Sequence, residues 1–300
     1  MPTSWTVEAK EPPPRDAHAD RVWYGLWQPI WAARRIAGDP ELLRESCYPA
    51  LLLALVCAGV AILTTFPGLS TLRRFYQVFV ALAPVPTVLL ARHYAHLAVL
   101  AHQRAGGGPC EPLVEPLGRA LKRALMQMVL IAIAVAPVSI LVRWVPLVGA
   151  VVVKCVAGLW ALHWIVINAF EGARVLLPGQ TLESLDALEE QTPSPWFVRA
   201  MRALGERVPV LGGIATAFAR FCDRLAKPWR EELRLVEQHP SLAAGFALST
   251  AVLLFTPVLN LFFRPVVLVA ASHVLLRLAL PCAARRGRGP GRLDEPPASS

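Results

Sequence analysis

The sequence predicts an all-α, polytopic integral membrane protein with about four full spans, a C-terminal helical hairpin over Leu242–Leu280, and interfacial amphipathic helices. Three observations predict it. Of the 300 residues, 55% are hydrophobic and only 17% charged, against about a quarter charged in soluble domains, and mean hydropathy is +0.47. Several apolar stretches reach or approach the roughly 20 residues needed to cross a bilayer core. Lys and Arg alternate between plentiful and sparse in the connections separating those stretches.

Residues 1–20 are polar and read as disordered, and residues 21–282 as a single α-helical membrane domain. The region before Pro49 is polar, proline-bearing and rich in tryptophan, unlike a secretory signal, so the first span is expected to double as the insertion signal. Trp23, Trp27 and Trp31 recur every four residues, followed by Arg34 and Arg35. On a helix over 23–36 they form one aromatic stripe suited to the headgroup level. A tryptophan-lined soluble core helix has the same spacing. Pro29 is expected to kink this helix or delay its start.

Four apolar segments follow: Pro49–Phe66, Phe75–Ala91 (bent by Pro84 and Pro86), Ala124–Leu141 and Leu147–Phe170. In the polar stretch after them, Ile214, Phe218, Phe221, Cys222, Leu225, Trp229, Leu233 and Val236 recur at helical spacing with charges between. With the shorter Trp196–Val208, they predict amphipathic helices over 196–238 at the cytoplasmic face, lying on the membrane or packed on a partner helix. The run Leu242–Leu280 divides at Pro257–Pro265 into arms of about 15 residues, roughly 22–24 Å each at 1.5 Å per residue. That is short of a ~30 Å hydrocarbon core, so the hairpin is either a thin pair of spans or re-entrant. Residues 283–300 read as a disordered basic tail.

The connections carry Arg34, Arg35 and Arg44, then Arg73 and Arg74, then Arg104, Arg119, Lys122 and Arg123. Arg143 stands alone, many bases follow from Arg174 to Arg234, only Arg264 lies at the hairpin turn, and Arg285 to Arg292 fill the tail. That alternation fits both termini in the cytoplasm. The net charge of +9 is therefore read as span orientation, not as nucleic-acid binding.

Six cysteines show no paired spacing, so neither disulfide framework nor zinc site is indicated. Lys154, inside the fourth apolar segment, either faces protein, a cavity or an anion, or snorkels to an interface. Asn260 and Arg264 at the hairpin turn either replace the hydration of a permeating anion, for which the guanidinium fork suits oxyanions, or mark a turn at the outer surface. No acidic residue lies between Leu242 and Leu280, and Glu171 is the acid nearest a span. His93 and His96 share a helix face but lack further ligands at matched spacing. His163, Asn168 and Glu171 suit interhelical hydrogen bonds. No nucleophile elbow, P-loop, dinucleotide fingerprint or HExxH is present, so no enzyme, cofactor or metal is expected.

The stretch with Pro257, Asn260, Leu261 and Pro265, followed by Ala270, Ala271 and Ser272, resembles the signature of the etoposide-induced protein domain family. This group includes CysZ-type sulfate permeases. The start is similar as well, in Gly25, Arg35–Ile36, Pro40, Leu43 and Pro49, as is the Pro146–x–x–Gly149 turn with the long helix after it. The likeness covers residues 23–281 in loose patterns. The last helix departs from it, with Ala271, Ser272 and His273 where the family carries Gly-Ala-Thr. The resemblance implies an oligomeric multi-pass protein of the bacterial cytoplasmic membrane, contacting lipid and passing an inorganic oxyanion such as sulfate. It equally allows a non-transport assembly protein that uses 196–238 to bind a partner.

Overall fold

The computed structural model describes residue 13 and residues 17–63, 90–142, 148–207, 209–255 and 262–286. They are all-α apart from one small bridge. The helices are α1 (His18–Gly38), α2 (Pro40–Leu63), α3 (Ala91–Arg104), α4 (Leu117–Val142), α5 (Val148–Gly172) and α6 (Leu182–Gln191). There follow α7 (Trp196–Arg207), α8 (Pro209–Ala226), a 3-10 turn (Lys227–Trp229), α9 (Arg230–Gln238), α10 (Pro240–Phe255) and α11 (Phe263–Arg286). The antiparallel bridge pairs β1 (Glu111–Pro112) with β2 (Val175–Leu176), tying the segment after α3 to the segment after α5. The expected segment Phe75–Ala91 falls almost wholly outside the described residues, as do Pro146, Pro257 and Asn260.

Helix α1 is not an isolated interfacial helix. Tyr24, Gly25, Gln28, Ala32 and Ile36 form a buried face that packs along α10. The two backbones meet at glycines: a Cβ on Gly25 would overlap the Leu242 carbonyl, and one on Gly245 the Val22 carbonyl. The tryptophans ride beside this face. Trp23 is 61% exposed, Trp27 meets it edge-on, and Trp31 packs edge-on against Tyr24. Pro29 neither ends nor delays the helix, which runs through it; the long contact with α10 outweighs the one hydrogen bond a proline lacks.

Helix α2 begins at Pro40, well before the expected Pro49. Asp39 Oδ1 accepts the backbone N–H groups of Glu41 (3.0 Å) and Leu42 (3.2 Å), which makes it the N-cap. Pro40 then occupies the first helical position, where its missing donor costs nothing. Pro49 lies buried inside α2. There it leaves the Glu45 carbonyl without its helical partner, and His93 Nε2 from α3 donates to that carbonyl at 2.7 Å. The proline is tolerated because a neighbouring helix supplies the lost bond.

Burial divides α2 and α5 lengthwise. Leu42 and Ser46 are at 0% exposure, while Leu51 and Leu55 further along α2 are both at 62%. In α5, Val151 and Leu159 are at 61% and 69%, while Trp164, Ile167 and Phe170 are at 1%, 0% and 1%. Leu117, Leu121 and Leu125 give α4 a similar bare stripe, at 65%, 62% and 60%. Among the described residues, Pro40–Val60 and Gly149–Gly172 are long and apolar enough to cross a membrane, yet in an apolar 18-residue window of each only 18% and 17% of the residues are buried.

The hairpin behaves differently. Its first arm, α10, has 16 residues as expected, but the second, α11, has 24. Pro265 and Arg264 belong to the first turn of α11, not to the connection before it; a proline fits there because first-turn N–H groups have no helical acceptor. Val266 to Ala271 are all at 5% exposure or less, enclosed by α1, α3 and α5.

The stretch 196–238 takes the packed alternative, in two pieces. Lys227–Trp229 breaks its long helix into α8 and α9, and the apolar stripe turns inward. Ala219, Cys222, Ala226, Trp229 and Leu233 are at 1% or less, whereas Ile214 and Phe221 remain at 72% and 46%. Helices α7 and α8 form a tight pair in which a Cβ on Gly212 would come within 3.0 Å of the Gly205 carbonyl.

Candidate functional site

Of the residues singled out by sequence, Arg264 has the most informative surroundings. Its guanidinium carbon lies 4.9 Å from the centroid of the Tyr94 ring, a cation–π arrangement on a side chain only 6% exposed. Glu171, the acid nearest a span, is close enough for its charge to act on Arg264. Arg264 is thus held inside the helical core, not at an outer surface. Lys154 is exposed on the bare half of α5. It precedes Glu171 by 17 positions, about 25 Å along a helix, so Lys154 and Arg264 do not share one site.

The family-pattern residues have structural work. Gly25, Pro40, Pro49 and Pro265 play the parts described above, and Gly149 is buried in the first turn of α5. Gly245, the partner of Gly25 at the helix crossing, was missed because one glycine in an apolar run has no local signature.

Asn168 and Glu171 make interhelical hydrogen bonds, whereas buried His163 Nε2 has no hydrogen-bond partner among the described residues. Gln127 Nε2 donates to Asn168 Oδ1 at 2.9 Å, joining α4 to α5. The His163 ring stacks on Trp160 with centroids 5.4 Å apart. Among the described residues no group of three or more His, Cys, Asp or Glu is arranged to hold a metal.

A larger constellation was not foreseen. Where α4 and α5 meet the 196–238 region, Arg123 and Arg174 are surrounded by Glu115, Glu171, Glu189, Glu231 and Glu232. Arg123 pairs with Glu115, with Glu171 at 3.2 Å and with Glu189 at 3.3 Å. Arg174 pairs with Glu231, with Glu189 at 3.1 Å and with Glu232 at 3.0 Å. Trp229 completes the assembly. Its Nε1–H donates to Glu171 Oε2 at 2.8 Å, and Arg123 sits 5.8 Å from its ring centroid. A capping box at Thr181 and Ser184 starts α6 and so aims Glu189 inward two turns later.

Both guanidiniums are 12% exposed, Glu189 8% and Glu232 4%. Two cations face five carboxylates, and burial makes the surplus negative charge costly. Burial pushes Glu232 up to about 7 against the pull of Arg174. It raises Glu189 and Glu115 too, against the nearby arginines. Burial works against the Arg174 charge, yet Glu232, Glu231 and Glu189 hold its pKa above the ordinary value. The constellation fastens the 196–238 helices to the ends of α4 and α5, and its fit depends on how many protons it holds.

No protein-family model, curated protein or solved structure matches the chain.

Proposed function

We propose that the chain is a multi-pass helical protein of the bacterial cytoplasmic membrane, with both termini cytoplasmic, that lets small inorganic oxyanions of the sulfate class pass. The membrane part of this reading is carried by one observation: the bare apolar halves of α2 and α5, with the bare leucine stripe of α4 beside them. A core helix in water would bury such faces, yet in the apolar 18-residue window of α5 only 17% of the residues are buried. Exposed contiguous apolar surface of this kind calls for lipid or another chain. Acyl chains cover it around a monomer, and second copies cover part of it in a homo-oligomer. The orientation is supported by arginine-rich connections meeting in space: Arg104, the last residue of α3, pairs with Asp39 and Glu41 at the start of α2, each at 2.6 Å.

The permeation part rests on Arg264. A guanidinium in the core, at the head of the signature-like stretch and in range of Glu171, is suited to meeting an anion transiently. Sulfate flux into proteoliposomes tests it. The wild-type chain should carry sulfate, and Arg264→Ala should abolish flux at unchanged expression and folding. Wild-type flux through the Ala variant would remove Arg264 from the path.

A second reading has its own support. Val266 to Ala271 are closed in on every side, which suits a packed, non-conducting hairpin. In that case the protein assembles with a partner through the apolar residues left exposed on 196–238, Leu204, Ile214 and Phe221. Absence of flux from the wild-type chain, with partner capture lost in Ile214→Asp, would favour it.

A further inference from the structure

Where α11 passes α1, polar side chains face each other from successive turns of both helices. His273 Nδ1 donates to Gln28 Oε1 at 2.8 Å. That bond orients the amide so that its Nε2 is left as a donor. Among the described residues, Gln28 Nε2 has no partner other than the Tyr24 hydroxyl, one turn earlier on α1, and neither Tyr24 Oη nor Arg277 Nε, one turn later on α11, has an acceptor. All three atoms are buried, and Gln28 and Tyr24 are only 1% and 5% exposed. The Tyr24 hydroxyl neighbours the Gln28 amide and feels the Arg277 charge. Arg35 adds a second guanidinium close enough to act on both Arg277 and His273.

No carboxylate within 4.0 Å pairs with Arg277 among the described residues, and Asp39, the acid beside Arg35, is held by Arg104 at 2.6 Å. The group is therefore rich in donors and positive charge and poor in acceptors. Buried donors without acceptors are rare in folded proteins and call for an occupant. An apolar one would leave them unpaired, and a cation would be repelled.

We propose that Tyr24, Gln28, His273 and Arg277 hold a phosphate group, supplied either by inorganic phosphate or by an anionic lipid headgroup. A guanidinium, a hydroxyl and an amide N–H together match the oxygens of a tetrahedral anion. Trp27 and Trp31 flank the same stretch of α1, and tryptophan favours the headgroup level of a bilayer. The site is separate from Arg264, which lies 13 positions earlier on α11, about 20 Å along the helix. Only its lipid source rests on the membrane reading, and binding is measured apart from flux, so either can fail alone.

The test uses the full chain purified in detergent. Native mass spectrometry reads retained lipid after exchange into mixed phosphatidylglycerol and phosphatidylcholine, and calorimetry reads binding of inorganic phosphate to the delipidated protein. Selective retention of phosphatidylglycerol identifies a headgroup site; binding of inorganic phosphate without lipid selectivity identifies a free-ion site. In either case Arg277→Leu should weaken binding about 10-fold to 100-fold, as expected for losing a charged hydrogen-bonding partner. Should Arg277→Leu fail to fold, Gln28→Glu serves in its place. The near-isosteric carboxylate should pair with Arg277, raise the melting temperature and abolish phosphate binding. Binding of neither probe by the wild-type chain, or unchanged binding in a folded variant, overturns the proposal and leaves a hydrated polar seam.

Discussion

Val151 and Leu159 stand 61% and 69% exposed in the first half of α5, while Ile167 and Phe170 in the second half are at 0% and 1%. Both halves are apolar and helical, and α5 continues through them without a break. The second half has neighbours: Phe170 packs its ring against Phe246 of α10 with centroids 5.6 Å apart, and Trp164 meets Trp229 edge-on at 5.4 Å. Among the described residues, the first half carries the most exposed apolar side chains of the helix. Hydropathy states that a surface leaves water, and says nothing of whether protein or lipid receives it. The buried half is the anchor of the fold, and the bare half is what the membrane reading explains.

The comparison breaks first at the ion cluster that closes the buried half. Arg174→Met should cost about 3–5 kcal/mol, because the carboxylates around it lose their counter-charge in a buried setting. Thermal denaturation in detergent measures this, and an unchanged melting temperature would show that the cluster is ornament rather than fastening. Ile167→Ala comes next. A cavity beside Trp164 and Phe170 should cost about 2–5 kcal/mol, read in the same assay.

A pH series sharpens the picture with a smaller effect. Burial holds Glu232 at about 7, above the 4.5 of an unperturbed glutamate. Between those values the folded chain binds a proton that the unfolded chain releases. The stability from this group is therefore complete below about pH 4.5 and is lost as pH rises through about 7. Wild-type melting temperature should fall across that window, and Glu232→Gln should flatten the fall. Equal slopes for both chains would assign the pH response to other groups.

The smallest effect is expected in the bare half. Leu159→Ala should change stability by no more than about 0.5 kcal/mol, the range of exposed positions away from special features. A loss matching that of Ile167→Ala would mean that Leu159 is buried against another copy of the chain, and equilibrium sedimentation of the two variants would then separate their oligomeric states.

Much of this architecture is local and legible. Apolar composition and helical spacing mark α4, α5, α8 and both arms of the hairpin, and an Asp-Pro pair is an ordinary start signal for a helix such as α2. The choice of Pro49 as that start failed because its lost hydrogen bond is repaired by His93, from a helix 44 positions away. Nor did the stripe of Trp23, Trp27 and Trp31 reveal the packing face of α1. Its contact face includes Gly25, whose value appears only beside Gly245, a partner that spacing within α1 does not reveal.

By itself the sequence determined the helical class, the apolar stretches, the caps and the isolation of Arg264 from any acid in its own run. These follow from backbone geometry and side-chain periodicity within a few turns. Tertiary structure alone decided which half of α5 is covered, that Glu171 is the acid within reach of Arg264, and that Arg123 and Arg174 draw carboxylates from α6, α9 and the approach to α4. Such pairings join residues as much as 66 positions apart. Charge acts through space, and which charges meet depends on packing that no local pattern records.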